Sequence, residues 1–128
     1  MAAHQLYFHL AWTTLERQPM IDRTTQDLLN DFLRRTAVRE RTEVVAIAIL
    51  QTHVHVLLRT GPQIDLPRLI QLMKGGSSHA ANRLAENKLG LRWAREYSAT
   101  TVSPKSLHKA VEYLENQERH HPGEGVGE

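Results

Sequence analysis

The sequence predicts an α+β fold: an antiparallel sheet with helices on one face, plus a further C-terminal helix. Three observations predict it. An apolar run from Val44 to Leu58 is broken only around Gln51-Thr52-His53 and at His55, so it reads as two adjacent strands. On either side lie stretches whose apolar residues recur at helical spacing. The elements then follow one another as strand, helix, strand, strand, helix, strand, helix.

His4 to Thr14 is rich in β-branched and aromatic residues and forms the first strand, which Pro19 closes off. Asp22 or Thr24 can cap a helix running to about Arg39, with Leu28, Leu29, Phe32 and Leu33 as its buried stripe. Glu43 to Gln51 and His53 to Arg59 are the paired strands, although no glycine or proline marks the turn between them. Gly61-Pro62 ends the second of these strands. Leu66 to about Asn87 carries Leu66, Leu69, Ile70, Met73, Ala80, Ala81 and Leu84 at helical spacing. Gly75-Gly76-Ser77-Ser78 lie inside that helix and are poor helix formers, so the helix either kinks there or lets something approach its backbone closely. Glu96 to Val102 is the last strand. Ser103-Pro104 then supplies an N-cap and a proline at the first helical position, opening a helix that runs to about Arg119. The first six elements match the β-α-β-β-α-β ferredoxin-like pattern. Residues 1–119 are expected to form one domain, and 120–128 a frayed tail.

At 128 residues the chain is long enough to bury a proper core. It has no cysteine, which excludes disulfides, thiolate zinc sites and cysteine nucleophiles together. Neither a signal peptide nor an apolar run of membrane-spanning length is visible, which suits a cytoplasmic protein. The net charge of +2 is small, but the basic residues gather between Arg59 and Lys105. That excess suits contact with phosphates, and a solvated helix face would account for it as well.

The triplet His53-Val54-His55 is the most informative motif. Residues i and i+2 of a strand point to the same face, roughly 6.8 Å apart along the backbone, so two imidazoles can converge on one metal ion. A chance pair of half-buried histidines is the alternative. Tyr113 and Gln117 form the second motif, sharing one face of the last helix at i, i+4 spacing. A tyrosine hydroxyl can attack phosphorus, and an amide oxygen can ligate a hard cation. His4, His9 and His79 read as surface or packing residues, His120-His121 as solvated, and Trp93 as core. Tyr7 and Tyr97 are rival hydroxyls, but neither has a glutamine four residues on.

Taken together, these motifs resemble the HUH single-tyrosine transposases of certain bacterial insertion sequences and their relatives, the REP-associated tyrosine transposases. His9-Leu10-Ala11-Trp12-Thr13-Thr14 with Arg17-Gln18-Pro19 looks like the family's opening His-x-x-Trp-x-Thr…Arg-x-Pro. His53-Val54-His55 looks like its His-hydrophobic-His motif, and Lys74-Gly75-Gly76-Ser77-Ser78 like its Lys-Gly-x-Ser-Ser segment. Trp93 and Tyr97 fit a recurrent Trp…Tyr before the last strand, and Tyr113 to Gln117 fits Tyr-x-x-x-Gln. One departure stands out: Gln51-Thr52 occupy the place where the family usually has Pro-Asp.

The resemblance implies a DNA transposase that cuts and rejoins single-stranded DNA by transesterification. Tyr113 would be the nucleophile, forming a 5′-phosphotyrosine, and His53, His55 and Gln117 would hold a divalent metal, Mg²⁺ or Mn²⁺. It also implies single-stranded DNA with hairpin ends as partner, a homodimer, association with the nucleoid, and no nucleotide cofactor. Lys74, Arg83, Arg92 and Arg95 are the candidates for phosphate contact. The alternative is a non-catalytic or domesticated DNA-hairpin-binding protein derived from such an enzyme. A ferredoxin-like metal-binding domain acting on small molecules leaves the Tyr-x-x-x-Gln helix unexplained.

Overall fold

The computed structural model describes residues 5–84 and 90–117. Seven elements follow in the expected order: β1 (Leu6–Thr13), α1 (Arg23–Arg39), β2 (Glu43–Ile49), β3 (His53–Thr60), α2 (Leu66–Ala81), β4 (Ser98–Val102) and α3 (Leu107–Glu115). The four strands form one antiparallel sheet in the order β2-β3-β1-β4.

Strand alternation divides the side chains of β3 between two faces. Val54, Val56 and Leu58 join Leu10 and Trp12 of β1 in the main core, closed over by Leu29 and Leu33 of α1 and Leu69, Ile70 and Met73 of α2. His53, His55 and Leu57 lie on the other face, opposite Thr13, Ala11 and His9 of β1. There α3 packs, and its Leu114 is buried against Ala46 and Leu57. A bulge between Val44 and Ala46 adds a residue to β2, and Val45 and Ala46 both pack in this second cluster. α1 and α2 therefore share one face, while the helix carrying Tyr113 lies on the other.

Residues remote in sequence hold the β2–β3 turn, which carries no glycine or proline. Besides the turn's own bond from Leu50 N–H to His53 O, Thr14 N–H donates to Thr52 O and Ile21 N–H to Gln51 O. The amide of Gln26, in α1, donates to Ile49 O. Asp22 is the cap of α1, accepting from Thr25 N–H. Leu29 and Leu33 are fully buried as expected, whereas Leu28 and Phe32 are only partly so.

Three helix boundaries differ from the expectation. α2 ends at Ala81, because the side chain of Asn82 turns to the backbone of Leu91, donating to its carbonyl and accepting from its N–H. After Ser103-Pro104 the chain first makes a single 3₁₀ turn, capped by the Ser103 hydroxyl, and α3 starts only at Leu107. Through the glycines α2 continues without a break. Phe32 of α1 sits so close to Gly76 that a Cβ there would lie 2.5 Å from the ring, and only glycine admits that approach. α3 is also closed earlier than expected, by Asn116 after Glu115; the expected end near Arg119 and the 120–128 tail lie outside the described residues. Among the described residues no helix is long and apolar enough to cross a membrane.

Candidate active site

The face of the sheet under α3 carries an open cleft of about 480 Å³, lined among others by Arg17, His53, His55, Glu96, Tyr97 and Tyr113. β3 supplies the two histidines, whose ring centroids are 5.0 Å apart with planes at 82°. α3 brings Tyr113 over them, its ring 6.2 Å from that of His55. The tyrosine is 40% exposed while His53 is 6% exposed, so a half-open phenol stands beside a buried imidazole.

Both imidazoles are oriented by neighbours. Thr52 Oγ1 lies 2.9 Å from His53 Nδ1. His9 Nε2 lies 2.9 Å from His55 Nδ1, the two rings 5.1 Å apart. His9 also stands 6.4 Å from the Tyr113 ring, edge-on. Read from the sequence as a surface or packing residue, His9 is placed by the fold against His55 and Tyr113. Burial holds its imidazole below the ordinary value of 6.5. The signal for its place is the β1–β3 register: β1 residues of the same parity as Ala11 and Thr13, which pair with His55 and His53, share their face.

Arg17 is the other residue whose place the motifs left unassigned. It follows Glu16 in a 3₁₀ turn, and both have φ of 54°, a left-handed conformation that side chains disfavour. The turn is pinned by Thr14, whose hydroxyl donates to Gln18 O. Its outcome is Arg17 in the lining of the cleft.

The four residues expected to meet phosphate are placed differently. Lys74 donates to the carbonyls of Ala94, Arg95 and Glu96, at 2.7, 3.1 and 3.3 Å, which engages all three N–H bonds of the ammonium. Burial lowers its pKa, and the charge of Glu96 opposes that shift. The same ammonium sits 6.0 Å from the centre of the Tyr97 ring. Arg83, Arg92 and Arg95 are exposed on the turn after α2 and on the chain leading to β4, and none of them lines the cleft. Trp93 packs edge-on to Trp12 and donates to Ser77 Oγ, which makes it a core contact of the KGGSS segment.

Gln117 lies just beyond α3, its Nε2 donating to Tyr113 O at 3.4 Å. It is 2% exposed, and its Oε1 is buried without a hydrogen-bond partner among the described residues. An unsatisfied buried acceptor costs about 1–3 kcal/mol, a cost that a cation beside it would remove. Among the described residues no group of three or more His, Cys, Asp or Glu is placed to hold a metal. An ion held by the two imidazoles would therefore need a donor of another kind; the orphaned amide oxygen is of that kind, although Gln117 is not among the residues that line the cleft. Two imidazoles and an amide oxygen are a donor set that divalent ions accept.

Residues 2–117 match the family model described as "Transposase IS200 like". The chain belongs to the IS200-like transposase family. This transposase is 31% identical over 119 residues to the ISDra2 transposase TnpA of Deinococcus radiodurans, covering 89% of this chain and 85% of that protein. Its fold is similar to a crystal structure of a Deinococcus radiodurans R1 protein assigned as a transposase, with TM-score 0.68 and 29% identity over 90% of this chain and 92% of that one. It is also similar to a REP-associated tyrosine transposase bound to a REP hairpin, with TM-score 0.71 and 15% identity over 95% of this chain and 70% of that one. At that identity the last likeness speaks for the fold. The transposase thus has the α+β architecture its sequence pattern predicts.

Proposed function

We propose that this transposase cuts and rejoins single-stranded DNA through Tyr113. The observation that carries the reading is the packing of the Tyr113 ring against His55, with His53 beside it in one open cleft. The phenol oxygen would attack a backbone phosphorus. As the O–P bond forms, the bond to the 3′ oxygen breaks, leaving a 5′-phosphotyrosine and a strand ending in a 3′-hydroxyl. The phenolic proton is lost and the departing oxygen gains one. Attack by another 3′-hydroxyl reverses the step and reseals the strand without ATP, because the phosphodiester energy is kept in the covalent bond.

His53, His55 and Gln117 would hold Mg²⁺ or Mn²⁺. Such an ion supplies charge stabilisation at the phosphate oxygens and lowers the demand on a weakly nucleophilic phenol. Arg17 in the lining of the cleft would grip the backbone, and the exposed ring of Tyr97 offers a stacking face for a base. DNA with hairpin ends is the substrate of this reading, in keeping with the hairpin held by the structural relative. A homodimer belongs to the reading as well.

The test is incubation with labelled single-stranded DNA from the flanks of the gene, with Mg²⁺ or Mn²⁺, followed by denaturing electrophoresis. A metal-dependent covalent adduct is expected, lost in Tyr113→Phe and kept in Tyr97→Phe. An adduct lost only in Tyr97→Phe would move the nucleophile to the rival tyrosine of the same cleft. A hairpin-specific mobility shift with no adduct would replace the enzyme reading by the DNA-hairpin-binding one.

A further inference from the structure

His9 and His55 come from different strands, yet their ring nitrogens meet at 2.9 Å on the face under α3. An imidazole has two nitrogens, and which one carries the proton follows from the hydrogen bond the other makes. In both cleft histidines the nitrogen engaged at 2.9 Å is Nδ1, with Thr52 for His53 and His9 for His55. With Nδ1 so engaged, the other nitrogen of each ring is Nε2.

We propose that His9 is a positioning residue, whose Nε2 accepts a hydrogen bond from His55 Nδ1–H and so fixes both the tautomer and the ring orientation of His55. This rests on the reading of His55 as an ion ligand. With the proton on Nδ1, the lone pair of His55 is on Nε2, the form in which an imidazole binds a metal. His9 in turn carries its own proton on Nδ1. The opposite polarity, with His9 donating, would place a proton on His55 Nε2 and close that nitrogen to an ion. Thr52 has the matching part at His53: its hydroxyl can accept from Nδ1–H, and it stands where the family usually has an aspartate. A hydroxyl can also donate, so Thr52 sets the proton less strictly than His9 does.

The experiment uses ¹⁵N-imidazole NMR on the metal-free full chain, with calorimetric titration of Mn²⁺ as a second arm. In the wild type the His55 pattern should be that of a ring protonated at Nδ1. In His9→Phe that preference should give way to the Nε2–H form, and Mn²⁺ binding should weaken by about 10-fold or more. His9→Gln should restore most of both, because its side-chain oxygen can accept from Nδ1–H, whereas a merely space-filling role would be served as well by phenylalanine. Thermal unfolding of each variant checks that it is folded. An Nε2–H tautomer of His55 in the wild type would overturn the proposal, as would an unchanged tautomer in folded His9→Phe. Absence of Mn²⁺ binding by a wild type with the Nδ1–H tautomer would sink the ion-holding reading instead, leaving the placement of the proton by His9 intact.

Discussion

Gly76 of α2 faces Phe32 of α1 so closely that a Cβ at Gly76 would stand 2.5 Å from the ring's Cζ, whereas one at the neighbouring Gly75 would meet nothing within 4 Å. Adjacent glycines in one helix thus have opposite reasons to be there. Gly75→Ala should stabilise the protein by about 0.5–1 kcal/mol, the ordinary helix-propensity gain. Gly76→Ala should forfeit that gain and destabilise by about 1–2 kcal/mol, because the Phe32 ring must shift. Urea unfolding measures both, and Gly76→Ala combined with Phe32→Leu should recover much of the loss. Equal effects at the two positions would contradict the close approach.

The three carbonyls at Lys74 lead to a salt prediction. On the proposed reading, an ammonium already engaged by Ala94, Arg95 and Glu96 would contribute little to DNA phosphate contact, while Arg17 in the lining of the cleft would contribute directly. For single strands each phosphate contact adds about 0.7 to the slope of log affinity against log salt. Arg17→Gln should lower that slope by about this amount. Lys74→Gln should leave it nearly unchanged and instead speed amide exchange between Ala94 and Tyr97. The reverse pattern would return Lys74 to the phosphate contacts.

Left-handed backbone at Arg17 and Arg41 offers a matched pair. Arg41 ends α1 at a place where glycine is the usual residue, since Glu40 is the C-cap. Replacing either arginine by glycine relieves strain, and after glycine's own entropy the gain is about 0.5–1 kcal/mol. Thermal unfolding should show both variants more stable. Only Arg17→Gly should lose DNA cleavage, since Arg41 lies elsewhere; equal activity would mean that the strain at Arg17 serves no contact with DNA.

The depressed pKa of His9 gives a pH dependence of stability in the metal-free protein. Between the folded value and 6.5, the unfolded chain holds a proton that the folded chain does not, so stability rises with pH across that window. It should be complete above pH 6.5 and fall as the solution is acidified below it. Chemical unfolding in chelator from pH 5 to 8 measures this, and His9→Phe should flatten the curve. The same slope in the variant would assign it to other groups.

Much of this architecture is written in local pattern. The parity of His53 and His55 against Val54, Val56 and Leu58 fixes which side of β3 is core, and Asp22 marks the start of α1. What local pattern does not carry is any property made by a partner from afar. The β2–β3 turn has no turn residue because Thr14, Ile21 and Gln26 hold it. α2 stops at Ala81 for the sake of a contact between Asn82 and Leu91. His9 acquires its meaning only from the strand beside it. The lysine of the KGGSS segment reads as a candidate for phosphate contact because charge is visible in sequence, whereas the carbonyls it donates to are visible only in the fold.

Leu114 is the one fully buried residue within α3, against five in each of α1 and α2. The two parts of the site therefore have unequal tenure. The histidines sit in the central pair of strands, backed by the main core, and persist for as long as the protein is folded. The tyrosine rides on a nine-residue helix attached by a small apolar patch, which leaves it the less firmly held of the two. A lesion at Leu114 would accordingly leave a folded sheet with its imidazoles in place and Tyr113 displaced from beside them, whereas a lesion of the main core would unseat both.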